Sequence, residues 1–315
     1  MTNLTIIIPH YNSINSLSKL LDTIPSVNDI QIIIIDDKSE NKVKSKLVAL
    51  SKRASATLLF NNTEKKGAGV CRNIGIENAK GKWILFADSD DLFVEGFYTN
   101  ILYYFNSNND VVFFPPTSID LSDGEISDRH INKSKYMKNY LTNRTLENET
   151  YLRYFIVVPW SKLIRKEFIK KNFLYFDEII ASNDVMFSTK VGYYMKVFEV
   201  STKIIYCVTK SKGTLTTNIS EAVYISRLDT FIKQTNFLKK NLRDDELKYI
   251  SFSGRTMIVN AIKYKLPIKT IFATIKKLHE NNIEIFNWQL LNPVKLTNKI
   301  KKVLNSYKKE KNYFD

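Results

Sequence analysis

A chain of 315 residues, 44% of them hydrophobic, carries enough apolar material for one large core, or one core and a smaller partner. Two cysteines exclude a disulfide framework, no apolar run approaches the ~20 residues of a bilayer span, and the opening residues lack the layout of a secretory signal, so a reducing cytosol is the expected compartment. The net charge of +15 is lopsided: residues 1–120 hold 12 Lys+Arg against 13 Asp+Glu, whereas residues 121–315 hold 35 against 19, which suits an anionic partner for the back of the chain.

Residues 4–8 form a β-branched run stopped by Pro9, which predicts a buried strand opening into the loop Pro9-His10-Tyr11-Asn12-Ser13. Leu17, Leu20, Leu21 and Ile24 then recur at helical spacing. Residues 31–35 are apolar without alternation, as in a parallel sheet covered on both faces, and end in Asp36-Asp37-Lys38-Ser39. A helix over 43–50, a strand over 56–60, and a helix entered through Gly67-Ala68-Gly69 and running past Arg72, Ile76 and Ala79 lead to the apolar strand before Asp88-Ser89-Asp90-Asp91. This alternation predicts an α/β fold with a doubly wound, mostly parallel sheet, whose ligands collect at the carboxyl ends of the strands. Tyr11-Asn12, Asp36-Asp37 and Asp88-Ser89-Asp90 all fall at such ends. Three carboxylates within four residues repel one another, and a divalent cation relieves that repulsion. Asp-x-Asp at a strand end offers oxygens to Mg²⁺ or Mn²⁺ and leaves room for phosphate.

Further along, a helix over 95–105 and a strand over 110–114 are expected, and polar residues 117–150 are expected to form a long loop or lid. The segment 157–163 is apolar, Asp184 opens a helix capped by Ser182 or Asn183, and residues 204–208 make a last strand. After about residue 220 the pattern turns to helices broken by Pro267 and Pro293, so residues 1–219 and 220–315 are expected as separate regions, the second helical. Leu296, Ile300, Val303, Leu304 and Tyr307 form an apolar stripe bordered by lysines, which fits an anionic membrane surface better than nucleic acid, whose readers favour Arg interleaved with aromatics. His10, His130 and His279 are scattered and suggest no role.

Four blocks in order, TIIIPHYN at 5–12, IIDDKS at 34–39, GAGVCRNIGI at 67–76 and WILFADSDD at 83–91, resemble the family 2 glycosyltransferases, inverting enzymes of GT-A fold. PWSKL at 159–163 and ASNDVMF at 181–187 are similar more weakly. The resemblance implies that Tyr11 lies against the base of a UDP-sugar, that Asp36 accepts from the uracil, that Arg72 holds the nucleotide end, and that Asp88 bonds the ribose. It also places Pro9, Asn12, Asp37 and Ser89 in the donor site, and Asp90, with Asp88, on Mn²⁺ or Mg²⁺. Asp184 is then the general base, although the family's preceding glutamate is Asn183 here. The implied acceptor is a glycan, carried on polyprenyl diphosphate at the inner face of the plasma membrane during surface-polysaccharide synthesis. A catalytically inactive GT-A-like binding module and a basic nucleic-acid-binding protein are the competing readings.

Overall fold

The computed structural model describes residues 2–210 and 220–285. Ten strands are found among them: β1 (Leu4–His10), β2 (Ile30–Asp36), β3 (Thr57–Phe60), β4 (Trp83–Phe86), β5 (Leu92–Phe93), β6 (Val111–Phe113), β7 (Thr117–Asp120), β8 (Lys162–Arg165), β9 (Phe198–Val200) and β10 (Tyr206–Lys210). Seven of them form one sheet in the order β3-β2-β1-β4-β8-β6-β9. Pairing is parallel from β3 through β4 and between β6 and β9, and only β8 runs antiparallel to its neighbours. A smaller sheet has the order β5-β10-β7.

The apolar runs explain the layering. Leu4, Ile6 and Ile8 of β1 face one core with Leu17, Leu20 and Leu47, while Ile7 faces the other with Cys71, Ile76 and Phe86. Both faces of the central strands are therefore covered, as the unbroken runs predict. The helix Ala68–Asn78 lies so close to the sheet that a Cβ on Gly75 would come within 2.4 Å of Ile7 Cγ2. In β1 and β2 the register sets His10 opposite Asp36, so their carboxyl ends finish side by side.

Two expectations need correction. The stretch 117–150 is no loop: it holds β7, the helix Ile131–Thr142 and the first half of the helix Leu146–Phe155, with Met137 and Thr150 buried. Few of its residues are apolar, so the helical period is weak; tertiary contacts hold it, including Arg153 donating to the carbonyls of Gly192 and Met195. The helix after Asn183 is Val185–Tyr194, and neither Ser182 nor Asn183 is its N-cap; Asp184 occupies that position without a side-chain cap bond.

Two compact units are present, Met1–Ile250 and Ser251–Asp315. The first includes the helix Glu221–Asn241, capped by Ser220 and tied to the first unit's loops through Ser226 Oγ to Ala181 O (3.0 Å) and Lys233 Nζ to Asp177 Oδ1 (2.7 Å). The second contains the helices Arg255–Lys263 and Ile268–Glu280. The lysine-bordered stripe over 294–307 lies outside the described residues. Among those described, no helix is long and apolar enough to cross a membrane.

Candidate active site

The carboxyl ends of β1, β2 and β4 meet on one rim of the large sheet. His10, at the end of β1, donates from Nδ1 to Asp36 Oδ1 (3.0 Å) and accepts the Ser13 N–H at Nε2 (3.2 Å), which selects the neutral Nδ1–H tautomer. Burial lowers the His10 pKa against the opposing pull of Asp36, in keeping with a neutral ring. Asp36 is buried, and its other oxygen accepts the Ser39 N–H (3.1 Å), so it has only spare lone pairs for a ligand. His10, given no role by sequence reasoning, is thus the residue that orients Asp36.

Asp37 is occupied internally. One oxygen takes Asn61 Nδ2 (2.7 Å) and the other takes the Gly67 N–H (2.8 Å). Gly67 has φ +128°, open to glycine alone, so Asp37 clamps the turn that launches the helix bearing Arg72. Pro9 is buried within β1. Asn12 takes φ +50°; its Oδ1 accepts the Glu40 N–H (3.0 Å). Tyr11 is 50% exposed, with Lys66 Nζ 3.7 Å from its ring centroid, and remains a reachable aromatic face. Ser13 and Ser89 share a 2.8 Å hydroxyl contact that joins this loop to the aspartate loop.

Arg72 joins the two halves of the site. Its guanidinium donates to Asp88 Oδ1 (2.6 Å) and to Asn183 Oδ1 (2.7 Å), 111 positions away along the chain, while its Nε is buried and unpartnered. Asp184 follows directly. Desolvation pushes its carboxyl up; Arg72 and Lys162 pull it down, and Asp88 pushes it up. The cleft walls and then Asp88 raise Asp90, although its side chain still reaches solvent. Asp91 is raised well above the usual carboxylate range by burial and both neighbouring aspartates, and it serves the fold: it accepts from Tyr206 Oη (3.0 Å) and the Thr209 N–H (2.8 Å). Tyr206 Oη also accepts the Asp88 N–H (2.9 Å), and its ring stacks on Trp160 at 5.4 Å and 14°.

Four basic or hydroxyl groups here escaped sequence reasoning. Arg129 donates to Thr209 O and acts electrostatically on Asp90; Lys133 Nζ donates to Arg129 O (3.2 Å) and is coupled to Asp184. Both lie in the stretch taken for a loop. Tyr206 lies in the last expected strand and showed no polar signal. Lys162 is fully buried on β8, donating to Ile156 O (2.5 Å) and Val158 O (2.9 Å), and burial brings its pKa down to about 7. A lysine inside the apolar run 157–163 was the available clue.

The donor set suits a divalent ion that is shared with substrate. Among the described residues no group of three or more His, Cys, Asp or Glu side chains is placed to hold a metal ion by itself. Asp90 and Asp88 supply two carboxylates that repel each other, with Arg72 paired to Asp88 and Arg129 acting on Asp90, and Mg²⁺-type sites commonly take one or two carboxylates plus phosphate oxygens and water. A separate cavity of about 780 Å³ lies between residues 176–180 and the helix Glu221–Asn241. Its Lys65 and Lys233 are already paired with Glu178 and Asp177, so it is poorly suited to a diphosphate.

Similarity to known proteins identifies the family. Residues 5–173 match the profile described as Glycosyl transferase family 2. The chain is 23% identical over 300 residues to the minor teichoic acid biosynthesis protein GgaB of Bacillus subtilis, covering 90% of this chain and 31% of that protein. It is 22% identical over 221 residues to the poly(ribitol-phosphate) beta-N-acetylglucosaminyltransferase TarS of Staphylococcus aureus, covering 68% of this chain and 36% of that one. It therefore spans about a third of the length of these curated relatives. Among solved structures, S. aureus TarS 1-349 in complex with UDP-GlcNAc superposes with a TM-score of 0.65 at 19% identity, over 89% of this chain and 80% of that one. A mannosyltransferase of Pyrobaculum calidifontis in complex with GDP-Man and Mn²⁺ gives 0.55 at 13% identity, over 88% and 75%. The central sheet is that of a GT-A fold, and the chain belongs to glycosyl transferase family 2.

Proposed function

We infer that this glycosyltransferase moves a hexosyl or N-acetylhexosaminyl group from a UDP-sugar, with inversion, to a hydroxyl of a surface-glycopolymer acceptor, either lipid-linked or already polymeric. The observation that carries the reading is Arg72, whose one guanidinium holds Asp88 beside Asn183, so that the Asp-x-Asp loop and Asp184 face the same space. The names of the relatives support a UDP-sugar donor and an anionic, teichoic-acid-like acceptor.

In this reading Tyr11 supports the base, Asp36 offers a lone pair to it, and Asp88 bonds the ribose. Asp90, with Asp88, would hold Mn²⁺ or Mg²⁺; bound there, the ion offsets the charge that develops on the departing UDP. Arg129, beside Asp90, adds a second positive charge on that side. Asp184 takes the proton of the attacking hydroxyl, and one such carboxylate suffices because inversion is a single displacement. Asn183, in place of the family's glutamate, serves as the anchor for Arg72 and leaves the base role to Asp184 alone.

Work on a membrane-borne acceptor would place the protein peripherally at the cytoplasmic face. The test is a panel of UDP-sugars with Mn²⁺ or Mg²⁺, with and without a lipid-linked or poly(polyol-phosphate) acceptor, and product linkage read by NMR. Inverted product from at least one donor supports the reading. UDP binding with no turnover of any donor would favour a binding module instead.

A further inference from the structure

The two long helices described in the second compact unit turn large apolar side chains outward. In the helix Ile268–Glu280 the residues turned inward are Thr270, Thr274 and Leu278, with Thr274 Oγ1 satisfied by Thr270 O (2.8 Å). Ile268 and Phe272 point outward, 72% and 65% exposed, and Ile275 joins them at helical spacing. The preceding helix Arg255–Lys263 does the same: Ala261 is buried while Val259 and Ile262 are 50% and 60% exposed. A solvated helix ordinarily keeps its apolar stripe inside, and outward stripes on consecutive helices mark a contact surface. Lysines border it: Lys269 and Lys276 are exposed, spaced by two turns beside the Ile268-Phe272-Ile275 stripe, and Lys263 and Lys265 close the first helix.

We propose that these two helices form a docking face for an anionic lipid bilayer, with Ile268 and Phe272 entering the acyl boundary and the lysines meeting the headgroups. Charge decides among the occupants. Residues 251–285 carry six Lys+Arg against two glutamates, so a second copy would set like charge against like. The chain's own residues 286–315 carry seven lysines against Glu310 and Asp315, so they offer no opposite charge to it. A leaflet of anionic lipid offers opposite charge and apolar depth together. The purpose of docking rests on the reading that the acceptor is carried at the membrane; the docking itself needs no substrate.

The experiment is co-sedimentation of the full chain with vesicles of mixed phosphatidylglycerol and phosphatidylcholine, and with phosphatidylcholine alone, at low and raised salt. Wild type is expected to pellet with the anionic vesicles only, less so as salt rises. Ile268→Glu/Phe272→Glu weakens binding by about tenfold or more, and Lys269→Glu/Lys276→Glu reduces it on anionic vesicles. All these positions are exposed, and unchanged UDP affinity reports that the first unit is intact. Equal binding by Ile268→Glu/Phe272→Glu overturns the proposal, as does wild type that ignores anionic vesicles at low salt, or a dimer in light scattering that this double variant abolishes. Transfer to a water-soluble acceptor is measured separately: a loss there counts against the catalytic reading and leaves the docking result standing.

Discussion

Lys162→Met probes how the fold sets the charge state of the proposed base. The ammonium of Lys162 is sealed in the core, hydrogen-bonded to Ile156 O and Val158 O, and its pKa falls from 10.5 to about 7. That difference, at about 1.4 kcal/mol per pH unit, makes the buried charge cost about 5 kcal/mol at neutral pH or below. Methionine fills much of the same space and removes the cost, but strands two carbonyls at about 1–3 kcal/mol each. The terms partly cancel, so the variant's stability at pH 7 lies between about 1 kcal/mol below and about 3 kcal/mol above wild type. Two slopes then separate the proteins. Between pH 7 and 10.5 the wild-type native state binds fewer protons than the unfolded chain, so this lysine makes stability rise with pH across that window, and the variant lacks that contribution. Asp184 loses a positive charge that favours its carboxylate, while Arg72 and Lys133 remain as its cationic neighbours and Asp88 as its anionic one. Its pKa rises, and the acid limb of the kcat/KM profile moves to higher pH. Urea melts at several pH values and a pH–rate profile measure both. An unmoved acid limb, with activity lowered uniformly at all pH, would refute the electrostatic link.

Asp184→Asn should lower transfer by about 10²–10⁴-fold while UDP affinity, read by calorimetry, is kept. Asp90→Asn should abolish metal-stimulated transfer, and the wild type should lose the same activity in a chelator; full activity in either case would remove Asp90 from the metal site. Asp37→Ala releases Asn61 and the Gly67 turn and should cost about 3–6 kcal/mol in a urea melt, two bonds to a charged acceptor being lost. Tyr206→Phe keeps the Trp160 stack but strips Asp91 of a donor and the Asp88 N–H of its acceptor, and should lower stability by about 1–3 kcal/mol.

The alternating sheet and the polar rim at its carboxyl ends were legible in the chain because their causes are local. Unbroken apolar runs at β1, β2 and β4 require two covered faces, and polar residues at their carboxyl ends follow from chain order alone. Tyr11, Asp36, Asp88 and Asp90 could be named from that logic and from their motifs. What they touch could not. Asp37 looks like Asp36 in sequence, yet one clamps Gly67 and the other is held by His10, because the pleat sends neighbouring side chains to different surroundings. Arg72 reaches Asn183 across 111 residues, and Thr209 reaches Asp91 across 118; no window of sequence contains such pairs. The helices after β7 lack a strong apolar period and are stabilised by packing, so Arg129 and Lys133 entered the site only with the tertiary structure. Lys162 shows the limit most plainly. Composition makes any lysine a surface residue by default, and only the closed core around β8 turns this one into a buried charge coupled to Asp184.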